Sequence, residues 1–224
     1  MTVEEYLSNL IAEPLTHELQ PILNIKQVTE NTDLLGSYTE ALVRRLSRRV
    51  VHPLLRVSSG SVIDYPLPIV LPQIDVILWA PNPAPSVYEV DDFCLVPRSS
   101  AFGLVEIKRS NYSNVDHELE DFIKTAPNWI YDGQEFDPLG HAMGVVPVIE
   151  QRPSGLLKSL IERNTVVAFF EKSPSGVNVR TDDVLCFINF LHRIKRSYQR
   201  SATMGQHIEL KTRTGEDLKG PSRV

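Results

Sequence analysis

Two of the most apolar segments of this chain carry charged side chains where a buried strand should have none, and this constrains the fold more than any other feature. Residues 73–79 read QIDVILW and residues 102–108 read FGLVEIK. Both are rich in the branched, aromatic and leucine side chains that favour strands. Side chains alternate along a strand, so Gln73, Asp75, Ile77 and Trp79 share one face of the first. Phe102, Leu104, Glu106 and Lys108 share one face of the second by the same rule. A carboxylate cannot be buried alone without a large cost. These acids must therefore be paired, hydrated at a strand end, or bound to a cation. If the two strands are neighbours, Asp75 and Glu106 converge, and a divalent ion is the usual way to neutralise such a pair. Oxygen ligands favour Mg²⁺ or Mn²⁺ over zinc. Lys108 projects from the face of Glu106, one step along, where an ammonium can hold a water or steady a phosphoryl oxygen. Taken alone, Glu-x-Lys also describes a strand entering solvent.

The surrounding pattern supplies a sheet for these strands. Leu42, Val43, Leu46 and Val50 recur at helical spacing over residues 37–51, with Arg44, Arg45, Arg48 and Arg49 on the other side. Gly36 punctuates before this helix. Residues 54–64 read as a strand with Gly60 as a bulge. Prolines 66, 68 and 72 make an extended connection, and residues 81–100 a long loop with one short strand near 93–96. A helix is expected to about residue 125, strands at 144–150, 165–172 and 177–180, and a helix at 155–163 capped by Ser154. A long helix follows at 182–199. Three strands in a row predict an antiparallel meander, and the later alternation predicts crossovers with helices on both faces. The fold class is mixed α/β around a single sheet. The division expected is an N-terminal helical extension (1–35), a core (36–180), a C-terminal helix (181–200) and a loosely held tail (201–224).

Composition narrows the function classes. Of the 224 residues 42% are hydrophobic and 23% charged, as in globular domains. The apolar runs are far shorter than the ~20 residues a membrane helix requires. The acidic start MTVEEYLSNL does not resemble a signal peptide. Cys94 and Cys186 cannot build a disulfide framework and read as buried free thiols, so the expected location is cytoplasmic. The net charge of −5 is not that of a protein that coats nucleic acid. Local basic runs, Arg44 to Arg49 and Arg193 to Arg200, can still meet a polyanion or simply form a solvated helix face. There is no Walker loop, Gly-x-Ser-x-Gly elbow, His-Glu-x-x-His or zinc-like spacing of histidines and cysteines.

The order helix, three-strand meander, helix, strand, with Asp75 on the second core strand and Glu106-Ile107-Lys108 on the third, resembles the PD-(D/E)xK nuclease superfamily, the restriction-endonuclease-like fold. LLGSYTEALVRRL, VSSGSVI, PQIDVILW and LVEIKRS also resemble a group of uncharacterised bacterial proteins within it. The signature proline is displaced to Pro72, three residues before Asp75. The resemblance implies a Mg²⁺- or Mn²⁺-dependent endonuclease with Asp75 and Glu106 as metal ligands, the Ile107 carbonyl as a further ligand and Lys108 as the catalytic cation. Glu40 matches an acid on the first core helix that joins the metal site in many such nucleases. Ser37-x-x-Glu40 also fits a capping box, in which Glu40 would serve the helix instead. Gln73 and Arg44, Arg45 and Arg48 are the candidates for contact with substrate. The implied partner is nucleic acid, DNA by superfamily habit, with no membrane. The terminal helices offer a surface for a homodimer. The alternative is a module that kept the fold and binds nucleic acid or a partner without cutting.

Overall fold

A computed structural model describes residues 13–14, 16–24, 31–64, 69–70, 72–82, 84–109, 113–130, 141–150 and 153–216. Helix α1 is a single turn at Pro21–Asn24, and α2 spans Thr32–Val51. The Asn31 side chain accepts the N–H groups of Asp33 and Leu34 at 3.0 and 3.2 Å, which satisfies two of the amides a helix start leaves without partners. This cap sets the start of α2 upstream of Ser37. Gly36, Ser37 and Glu40 lie inside the helix, so Ser37-x-x-Glu40 is not a capping box and Gly36 does not interrupt the chain. The side chain of Glu40 is thereby left available to the sheet's edge.

The strands are β1 (Arg56–Asp64), β2 (Ile69–Val70), β3 (Ile74–Trp79), β4 (Tyr88–Val90), β5 (Phe93–Pro97) and β6 (Ala101–Ile107). After α3 (Val115–Thr125) come β7 (Ala142–Val145) and β8 (Val148–Ile149), then α4 (Gly155–Glu162), β9 (Val166–Val167), β10 (Phe170–Ser173), β11 (Gly176–Val179) and α5 (Thr181–Glu216). The main sheet has the order β4-β5-β1-β3-β6-β7-β9, with β2 paired to β1. The expected meander is present: β1, β3 and β6 are antiparallel neighbours. Beyond it β6, β7 and β9 run parallel, joined by crossovers through α3 and α4. Strand β5 lies parallel to β1 on the opposite edge, and β8, β10 and β11 form a second, three-stranded sheet.

Each face of the sheet is covered by a pair of helices. On one, Val43 and Leu46 of α2 and Phe187, Leu191 and Ile194 of α5 pack on Val76, Leu78, Phe102 and Val105. On the other, Leu119 and Phe122 of α3 and Leu157 and Leu160 of α4 pack on Ile77, Trp79 and Leu104, so Phe102, beyond the register shift at Gly103/Ala101, does not share the face of Leu104 as the period of two predicted. Ser154 caps α4 as expected, its hydroxyl accepting the Leu157 N–H at 3.1 Å. Helix α5 is longer than its apolar periodicity suggested. Asp182 and Asp183 sit in its first turn, where carboxylates oppose the helix dipole favourably. No proline occurs between them and Pro221 to stop propagation. Residues 201–216 of the expected tail are therefore helical, and 217–224 lie outside the described residues. Among the described residues no helix is long and apolar enough to cross a membrane.

Candidate active site

Asp75 is the second residue of β3 and Glu106 the penultimate residue of β6. The pairs Val76↔Val105 and Ile77↔Leu104 set the register between these antiparallel strands. Asp75 and Glu106 follow Val76 and Val105 toward the same end of the two strands, where the two carboxyls lie close enough for Glu106 to repel Asp75. The sheet thus brings both acids to one end of its two most central strands. The Asp75 carboxylate accepts the backbone N–H of Ile107 at 2.8 Å, which ties it across the strands. One oxygen of Glu106 takes the Lys108 ammonium at 3.0 Å, consistent with the i, i+2 spacing.

The electrostatics of the pair follow from this placement. Burial pushes the Asp75 carboxyl from its ordinary 3.8 up to about 7, and repulsion from Glu106 and then Glu40 adds to the rise. The Ile107 N–H and Lys108 pull it back only in part. Burial likewise raises Glu106, in spite of Lys108 beside it, with Glu40 and Glu118 adding repulsion. Among the described residues Glu40, Asp75, Glu106 and Glu118 act on one another against the cations Lys108 and Arg44. Two negative charges are left over when all of these groups are ionised.

The donor set therefore suits a hard divalent ion: carboxylates and surplus negative charge. The arrangement is not a finished cage. Among the described residues no three acid, histidine or cysteine side chains stand in ligand geometry. Glu106 is paired with Lys108 at 3.0 Å and Glu40 with Arg44 at 3.4 Å. A cation here would compete with the Lys108 ammonium for the Glu106 carboxylate.

The remaining candidate residues are distributed around this centre. Arg44 is 8% exposed and its guanidinium donates to the Asp75 backbone carbonyl at 3.0 Å, so it braces the site from within. Its other edge faces Asp92 at 3.8 Å, a charge contact without a hydrogen bond. Arg48 donates to the Val57 carbonyl at 3.0 Å and to Asp92 at 2.5 Å. Arg45 and Gln73 are exposed. Two members of the network carried no signal in the sequence. Asp92 lies in the loop expected to be irregular, and Glu118 reads as the solvated face of a helix. In the fold, Glu118 reaches the Lys108 ammonium at 2.9 Å.

No protein-family profile matches the chain, and no curated protein matches it. Solved structures do. The chain is similar to NucC of E. coli MS115-1 in its cAAA-bound form, with 13% identity and a TM-score of 0.57 over 90% of this chain and 91% of that one. It is similar to cAAA-bound NucC of P. aeruginosa ATCC27853, with 12% identity and a TM-score of 0.58 over 91% and 99%. The apo form of the E. coli protein matches with 12% identity and a TM-score of 0.53 over 86% and 92%. At this identity the likeness shows the fold. That fold is NucC-like, a mixed α/β architecture with a central mixed sheet and a long C-terminal helix, in agreement with the fold class expected from the order of elements.

Proposed function

We propose that this chain is a Mg²⁺- or Mn²⁺-dependent nuclease that hydrolyses phosphodiester bonds, with DNA as its substrate. The observation that carries the reading is the pair Asp75 and Glu106, aligned on adjacent central strands and both raised in pKa beside a lysine. Asp75, Glu106 and the Ile107 carbonyl would hold one or two ions, with Glu40 as an auxiliary acid. A divalent ion supplies Lewis acidity and activates water at neutral pH. Lys108 donates hydrogen bonds from a fixed ammonium to the phosphoryl oxygen or the attacking water, where charge develops. Arg44 keeps the Asp75 end of β3 in place. Gln73, just before β3, and Arg45, on the exposed side of α2, are the exposed candidates to meet a phosphate backbone, with the half-buried Arg48 beside them. Cys94 is a buried free thiol and Cys186 a half-buried one, which suits a reducing cytoplasm.

Plasmid cleavage tests the reading. With Mg²⁺ or Mn²⁺ the wild type is expected to nick or linearise DNA, and EDTA to stop it. Asp75→Ala and Lys108→Ala are each expected to lose about a thousandfold in rate, the scale on which removal of a fixed stabilising group acts. Binding of DNA without cutting in any buffer would instead favour the catalytically silent module.

A further inference from the structure

We infer that Glu118 is a positioning residue: it retains the Lys108 ammonium when Glu106 turns to a metal ion. The inference rests on the nuclease reading above and adds to it a residue outside the Asp-Glu-Lys signature. Lys108 stands between two carboxylates, Glu106 at 3.0 Å and Glu118 at 2.9 Å. The two anchors differ in origin. Glu106 belongs to the same strand as the lysine and to the metal-binding set. Glu118 comes from the first turn of α3.

That turn is held firmly. Val115 and Leu119 are buried against the sheet, and the Ser154 hydroxyl at the start of α4 donates to Asp116 at 2.5 Å. The Lys108 backbone is fixed as well, its N–H bonded to the Val145 carbonyl at 2.8 Å. The ammonium is therefore suspended between a rigid helix and a carboxylate that has a second use. Without Glu118, Glu106 would carry more of the ammonium's counter-charge, and Lys108 would compete more strongly with the cation for that carboxylate. With Glu118 present, Glu106 can leave and the ammonium keeps both its place and a counter-charge.

Calorimetric titration of Mn²⁺ into the full chain tests this with Glu118→Gln, Lys108→Met and the double variant. Glu118 is 44% exposed, so Glu118→Gln is expected to unfold at the wild-type temperature. It should weaken Mn²⁺ affinity about tenfold, the lower range for loss of an outer partner of a metal ligand. Lys108→Met should bind Mn²⁺ at least as tightly as the wild type, because the competing ammonium is gone. In that background Glu118→Gln should change affinity by less than about twofold, since its effect acts through the lysine. Unchanged affinity in Glu118→Gln would overturn the inference. So would an equal loss with and without Lys108, which would make Glu118 a bare charge near the ion. Both results leave the nuclease reading standing, whereas a wild type that binds no Mn²⁺ overturns the two together.

Discussion

Asp75→Asn is expected to stabilise the metal-free protein at pH 8 while it abolishes cleavage. In the wild type the Asp75 carboxyl is raised from 3.8 to about 7, chiefly by burial and then by Glu106 and Glu40. The folded state therefore holds a proton that the unfolded chain gives up near pH 4. The stability tied to this group is fully present below about pH 4 and is lost as pH rises through about 7. A shift of this size corresponds to roughly 4 kcal/mol at most. Asparagine removes the charge, nearly keeps the volume and still offers an oxygen to the Ile107 N–H. In EDTA at pH 8, Asp75→Asn should thus melt about 5–10 °C above the wild type. The wild type should lose more stability between pH 5 and 8 than the variant, which keeps only the raised Glu106 carboxyl. Added Mn²⁺ should reverse the order, because a ligand that binds only the folded wild type stabilises only that form. An Asp75→Asn variant that melts at or below the wild type in EDTA would show that the carboxylate is compensated within the protein.

Gly60→Ala is expected to cause a large loss of stability for the addition of a single methyl group. Gly60 sits at the register shift between β1 and β3, with φ of +138°, and is paired with Cys94 of β5. An added Cβ would lie 1.8 Å from the Cys94 carbonyl oxygen and 2.8 Å from its carbon. Those atoms are backbone, so β5 must move away from β1 to make room. The expected cost is about 4 kcal/mol or more, in the exceptional range for a point substitution. Gly176→Ala separates clash from strain. Gly176 has φ of +135°, but a methyl group there would meet nothing within 4 Å, so its cost should stay near the ~1–2 kcal/mol of backbone strain. Thermal unfolding of the two variants side by side reads the difference. Equal, small losses would mean that β1 and β5 do not approach as closely as the register states.

Much of this was legible in the sequence because it depends on local rules. The period of two put Asp75 and Glu106 each on a definable face. Three strands with no helix between them pointed to a meander, and β1, β3 and β6 form one although β4 and β5 intervene. Gly60 and Ser154 announced a bulge and a cap through residue type alone. The features that stayed hidden depend on contacts between distant segments. Asn31 and Ser37 are both capable caps, and the helix that buries Leu35 starts at Asn31. The four arginines of α2 read alike by charge, yet Arg44 is drawn inward by the Asp75 carbonyl while Arg45 stays exposed. Glu118 became visible only when α3 folded back over β6. Likewise β5, one short strand within a proline-rich stretch, gave no sign that it would pair in parallel with β1.

In the proposed mechanism the Asp75–Glu106 pair forms a cation site in which Glu106 gives up Lys108. Anomalous diffraction from crystals grown with Mn²⁺ tests it most directly. A peak about 2.1 Å from carboxylate oxygens of both residues, with Glu106 rotated off the ammonium, is the predicted result. Crystals saturated with Mn²⁺ that show no peak there, and the Glu106–Lys108 contact intact at 3.0 Å, would contradict it.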